Sequence, residues 1–211
     1  MVDINGRELY SHELKIPKER VAVLIGKDGE TKAAIEERSA VQLNVNSEEG
    51  DVFISGKDPL MLFNAKEVVK AVGRGFNPEI ALMLLKVDYI LELISLKDIA
   101  KNKNHLLRVK GRIIGTEGKT RGIIEELTMT YVSVYGKTVG IIGRTENANI
   151  AKRAVTMLIE GSPHSSVYKF LEGQRKSMRY ARDDEDEIAD DFKKYENDSD
   201  DQDEQSMNSR Y

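Results

Sequence analysis

The sequence predicts an α+β protein in which one unit, strand–helix–helix–strand–strand–helix, is used twice. Each unit carries a three-stranded sheet, and an acidic tail without a core follows the second. Three observations lead there. Residues 23–37 (VLIGKDGETKAAIEE) and 112–126 (RIIGTEGKTRGIIEE) align without a gap and share seven of fifteen residues. Around each copy, stretches of alternating and of helically spaced apolar residues follow in the same order. Charge is also unevenly distributed: residues 183–211 hold thirteen Asp or Glu against Lys193, Lys194 and Arg210, a net of −10.

In the first unit, residues 12–16 alternate like a short strand. Pro17 follows, and residues 18–25 place apolar side chains at helical spacing. After a glycine-bracketed turn, 29–39 read as a second helix. Residues 40–46 and 51–56 alternate as two strands joined by a polar loop. Residues 58–75 begin with Asp58 as N-cap and Pro59 at the first helical position, which predicts the closing helix. The second unit repeats the order: a strand over 89–96, a longer basic first-helix region over 97–114, the turn, a helix over 118–127, strands over 130–136 and 138–143, and a closing helix over 144–161. Between the units, 76–86 read as a short apolar helix begun by Asn77-Pro78. Ser162 and Pro163 open a C-terminal helix expected to pack Val167, Phe170 and Leu171 onto the second unit. The organisation is a first domain over 1–75, a linker helix over 76–87, a second domain with its C-terminal helix over 88–182, and a disordered acidic tail over 183–211.

Composition narrows the function. The chain has 211 residues and no cysteine, which excludes disulfides, thiolate metal sites and cysteine nucleophiles and fits a reducing interior. Its three histidines show no metal-ligand spacing. No run of eighteen apolar residues and no leader-like start suggest a cytoplasmic protein away from membranes. Setting the tail aside, residues 1–87 carry 12 basic and 14 acidic side chains and 88–182 carry 17 and 9, so the second half is electropositive.

Two glycines three apart let the backbone reverse tightly with no Cβ in the way. The unpaired amides that open the next helix, with the positive end of its dipole, make a phosphate seat. Beside it, a shallow aliphatic groove is expected from Ile25, Ile35 and Val45, and from Ile114, Ile124 and Val134. Bases splayed from a single strand can rest there. The candidate residues of the first turn are therefore Ile25, Gly26, Lys27, Asp28, Gly29, Lys32 and Ile35. Those of the second are Arg108, Lys110, Arg112, Ile114, Gly115, Thr116, Glu117, Gly118, Lys119, Arg121 and Ile124. The second turn has the denser cations and is expected to grip harder, whereas Asp28, Glu30, Glu36 and Glu37 oppose Lys27 and Lys32 at the first. Asp28 and Glu117 are read as carboxylates that offset a helix dipole.

The pattern I-G-x-x-G-x-x-x-x-x-I inside this element order resembles the KH domain of the eukaryotic (type I) topology, whose GxxG loop clamps about four nucleotides of backbone. Residues 72–85, 105–128 and 161–173 further resemble the archaeal and eukaryotic KH proteins of small-subunit ribosome assembly. The intact GxxG in both units is closest to the archaeal kind. This resemblance implies rRNA binding near the 3′ end of 16S rRNA during maturation. It implies as partners the initiation factor two alpha subunit, the Nob-type endonuclease and the rRNA dimethyladenosine transferase, with no cofactor and no enzyme activity. Two other roles stay open, a protein-interaction scaffold within ribosome assembly and a KH subunit of an exosome-like complex. A nucleotide hydrolase is disfavoured: Lys119-Thr120 imitate the end of a P-loop, but Ile113 stands where its first glycine is required.

Overall fold

The computed structural model describes residues 9–97, 99 and 102–177; the acidic stretch read as disordered lies outside them. The first unit runs β1 (Tyr10–Lys15), α1 (Lys18–Ile25), a one-turn 3₁₀ segment (Lys27–Gly29), α2 (Glu30–Ser39), β2 (Val41–Val45), β3 (Asp51–Gly56) and α3 (Pro59–Gly73). After α4 (Pro78–Ala81) and a 3₁₀ turn (Leu82–Leu85), the second unit runs β4 (Tyr89–Ser95), α5 (Lys103–Ile114), a 3₁₀ segment (Thr116–Gly118), α6 (Lys119–Thr128), β5 (Tyr131–Tyr135), β6 (Thr138–Arg144) and α7 (Thr145–Ile159). A further helix, α8, occupies 164–177.

Each sheet is antiparallel, ordered β1-β3-β2 and β4-β6-β5, so β2 and β5 are edges. Leu14 pairs with Val52 and Leu43 with Ile54, which puts the apolar set of the first sheet on one face beneath its helices. The Asp58 carboxylate accepts the amides of Leu60 and Met61 at 2.8 and 3.3 Å, capping α3 as its sequence predicts. Val167 and Leu171 of α8 are fully buried in the second core, with Phe170 against it.

The first helix of the second unit is shorter than the 97–114 region expected of it. Asn102 stops it: its side-chain oxygen accepts the His105 amide at 2.8 Å, and its own backbone is extended. The two sheets also differ in their outer faces. β3 alternates between buried and exposed positions, leaving Phe53 46% exposed, whereas β6 is buried from Val139 to Gly143. The covering partner is the first unit. Ile142, Tyr89 and Leu91 join the first core, and the Phe76 ring lies where a Cβ on Gly140 would stand, 2.6 Å away.

Candidate nucleic-acid interface

Both corners have the same backbone. Gly26 and Gly115 take φ 78° and 73° with extended ψ, and Gly29 and Gly118 are left-handed at φ 83° and 79°. A Cβ on Gly26 would stand 2.7 Å from the Thr31 amide nitrogen, and one on Gly115 the same distance from that of Thr120. The first glycine of each pair is therefore needed for conformation and for space, the second for conformation alone. Between them Asp28 and Glu117 sit at φ 51° and 52°. They are exposed at the tip of each turn, within the 3₁₀ segment that leads into α2 or α6.

The exposed donors lie one step earlier than the sequence suggests. The Gly29 and Gly118 amides bond weakly back to the Gly26 and Gly115 carbonyls at 3.4 and 3.3 Å, and those of Glu30 and Lys119 bond to Lys27 and Thr116. Because Gly26 and Gly115 take extended ψ, the amides that follow them, of Lys27 and Asp28 and of Thr116 and Glu117, leave the helical course of α1 and α5 at the exposed tip. Each corner thus presents two adjacent N–H groups at its exposed tip, a cradle suited to a phosphate oxygen.

The side chains divide by role. Ile25, Val45, Ile114 and Val134 are half-buried at the surface beside the corners. Ile35 and Ile124 are fully buried, so they support the groove from inside the core instead of flooring it. Arg112 is also removed from the contact set. Its guanidinium donates to the carbonyls of Leu158 at 3.1 Å and Ser162 at 2.5 Å, capping the end of α7. Arg20 does the same for α3, donating to Val72 at 2.8 Å and Phe76 at 2.6 Å. Lys27, Arg108 and Lys119 are exposed and Lys110 half-buried, none with a carboxylate in ion-pair range among the described residues. Lys32 and Arg121 lean toward Glu36 and Glu125, at 3.8 and 3.6 Å.

Glu36 was expected only to oppose the cations of the first corner, and Glu125 carried no expectation. Each accepts an edge-strand amide, Glu36 from Leu43 and Glu125 from Val132, both at 2.7 Å. They tie the helix after each corner to β2 or β5, and their signal was present, because the Glu-Glu pair is common to both copies of the repeat. In the first unit a cleft of ≈ 690 Å³ follows this edge, lined among others by Lys32, Leu43, Asn44 and Phe53. The second corner has an extra brace. The Thr120 and Tyr168 hydroxyls lie 3.1 Å apart, and His164 Nε2 lies 3.0 Å from the Arg112 carbonyl, so α8 holds the corner from behind. Ile113, where a P-loop would need glycine, is fully buried within α5. Among the described residues no group of three or more His, Asp or Glu could hold a metal ion, and no helix is long and apolar enough to cross a membrane.

Comparison with known proteins agrees with this geometry. A KH domain profile matches residues 11–71, and a eukaryotic type KH-domain (KH-domain type I) profile matches 90–176. A KH domain-containing protein of Methanocaldococcus jannaschii is 49% identical over 181 residues, covering 84% of this chain and 79% of that protein. The pre-rRNA-processing protein PNO1 of Coccidioides immitis is 34% identical over 143 residues, covering 66% of this chain and 56% of that protein, so the chain spans little more than half of this eukaryotic relative. Among solved structures, Dim2p from Pyrococcus horikoshii is 50% identical with a TM-score of 0.73, covering 77% of this chain and 98% of that one. Dim2p in a complex with a/eIF2alpha and rRNA from the same organism is 48% identical with a TM-score of 0.75, covering 80% and 96%.

Proposed function

We infer that this chain, which belongs to the KH-domain family of archaeal Dim2 and eukaryotic PNO1 pre-rRNA-processing proteins, binds single-stranded rRNA during maturation of the small ribosomal subunit. The observation that carries the reading is the pair of adjacent tip amides at each glycine corner. Such a pair seats a phosphate, and the half-buried aliphatic side chains beside it accept unstacked bases. The second corner carries most of the grip. It is surrounded by Arg108, Lys110 and Lys119, and α8 braces it. The RNA is the 3′-terminal region of small-subunit rRNA, and the alpha subunit of initiation factor two is a partner, in keeping with the composition of the related Pyrococcus complex. A Nob-type endonuclease and the rRNA dimethyladenosine transferase are the further partners we propose, in the cytoplasm. The chain's own contribution is binding rather than catalysis.

The test is the paired change Thr116→Asp and Glu117→Asp in the full chain. Asp tolerates the left-handed tip, and the new carboxylate faces the tip amides. Affinity for a 3′-terminal rRNA oligonucleotide should fall at least tenfold with unchanged circular dichroism, whereas Lys27→Asp at the first corner should cost less. Undiminished RNA binding in both variants would shift the role to a protein scaffold.

A further inference from the structure

We propose that the first unit holds RNA at a second surface, the cleft between β1 and α3, and that this cleft contacts phosphodiester backbone beyond the nucleotides seated at the glycine corners. The proposal rests on the rRNA-binding reading above but concerns a part of the molecule that the GxxG mechanism does not use.

β1 is the sheet edge opposite β2. Along it runs a cleft of ≈ 690 Å³. Its walls carry Lys15, Lys18, Lys66, Lys70 and Arg74 against the carboxylates of Glu13 and Glu49. Two of these cations are already engaged: Lys15 with Asp51 at 3.1 Å and Glu49 at 3.8 Å, and Lys70 with Glu67 at 3.2 Å. Lys18, Lys66 and Arg74 have no carboxylate within ion-pair distance among the described residues; Lys66 instead rests its ammonium 5.1 Å from the Phe63 ring centre.

Lys66 and Lys70 of α3 and Arg74, the residue that caps its end, recur every fourth residue, which places them on one side of the helix at intervals of about 6 Å. That interval is comparable with the separation of successive phosphates along a strand. A row of flexible cations at such spacing contacts backbone without reading bases; it positions a nucleic acid rather than selecting it. A protein partner would call for large aromatic anchors filling buried pockets; no Phe, Tyr or Trp lines this cleft, while five Lys or Arg side chains stand beside Leu14, Ile16 and Pro17.

Folding creates this surface from an unpromising composition. Residues 1–87 are net negative, at −2. The structure nevertheless sorts them: Asp28, Glu30, Glu36 and Glu37 gather around the first corner, while Lys15, Lys18, Lys66, Lys70 and Arg74 gather at the opposite edge. The acidic corner is a weak phosphate grip, and the basic cleft supplies what it lacks. RNA longer than the few nucleotides a corner holds therefore gains contacts that a short oligonucleotide cannot reach.

The experiment compares the full wild-type chain with the variant Lys18→Gln/Lys66→Gln/Arg74→Gln, whose three changes fall at sites free of ion pairs. Each protein is titrated with a four- to six-nucleotide rRNA 3′-terminal fragment and with one of some thirty nucleotides, over a range of salt. The expected result is equal affinity for the short fragment and roughly tenfold weaker binding of the long one. The slope of log affinity against log salt should be shallower by about 2, since each single-strand phosphate contact contributes about 0.7. An unchanged long-fragment slope, with the wild type still binding RNA, overturns the cleft proposal alone. Failure of the wild type to bind either fragment overturns the rRNA reading and the cleft with it. An unchanged slope with a chemical cross-link from Lys70 to residues 183–211 assigns the cleft to an acidic peptide, which also overturns the proposal.

Discussion

Glu117 illustrates how one residue can serve conformation poorly and binding poorly at once. It holds φ 52° at the tip of the second corner, a backbone state that costs a residue with a Cβ about 1–2 kcal/mol. Its exposed side chain also adds a negative charge to the turn that carries the tip amides. Asn tolerates the left-handed state and carries no charge. Glu117→Asn should therefore tighten RNA binding about fivefold, the effect of removing one like charge worth about 1 kcal/mol near a phosphate in water. A titration at low salt measures it, and loss of affinity would show that Glu117 makes a favourable contact. Nothing in the sequence places Glu117 at positive φ, because a Gly-x-x-Gly spacing does not say which of its residues turns left-handed. The roles of Arg20 and Arg112 were equally hidden. The two are not equivalent in the aligned repeat, yet they cap equivalent carbonyls, Val72 and Leu158 each being fourteenth in its helix.

The elements repeat more faithfully than the residues. α2 and α6 both end on a left-handed residue that is not glycine, Ala40 at φ 50° and Met129 at φ 52°. Glycine is the residue this cap favours. Met129 is 68% exposed and packs little against either core. Met129→Gly should accordingly raise stability by up to about 1 kcal/mol, seen as a rise of about 2–4 °C in the midpoint of thermal unfolding. An unchanged or lower midpoint would mean that the methionine side chain contributes more than its cap geometry costs. At this scale most of the fold was legible: apolar alternation and helical spacing marked the six strands of the described residues and the long helices. The start of α5 was not, since its first turn is decided by the Asn102 side chain and not by periodicity.

For the whole molecule the decisive contact is between units. Gly75 leaves room for Ser133, whose hydroxyl donates to the Arg74 carbonyl at 2.9 Å; a Cβ on Gly75 would lie 2.8 Å from the Ser133 hydroxyl oxygen. The Tyr135 hydroxyl donates to the Glu19 carboxylate of α1. That bond, together with burial and the negative charge of Glu19, raises the Tyr135 phenol above its ordinary value of 10.0. The neutral phenol is the form favoured on folding, so its contribution is complete below pH 10 and is lost as pH rises through the folded value. Tyr135→Phe should cost about 1 kcal/mol at neutral pH, and the difference in melting temperature between the two proteins should close above about pH 10. A gap that persists at high pH would count against the bond. The covering of β6 by Phe76 also means that separating the halves would expose Gly140 and Ile142 to water, so the two corners are best compared within the intact chain.

Sequence alone determined the repeat, the order of elements, the glycine corners and the electropositive second half, because these are local patterns of spacing, hydrophobicity and charge. Only the tertiary structure decided which candidates reach solvent. Ile35, Ile124 and Arg112 stand at plausible spacings, yet packing takes the first two into the core and two helix-end carbonyls engage the third. The basic cleft could not be read from a half that is net negative, since it arises from residues as far apart as Lys15 and Arg74 meeting across a sheet edge. Long-range juxtaposition of this kind leaves no trace in local periodicity.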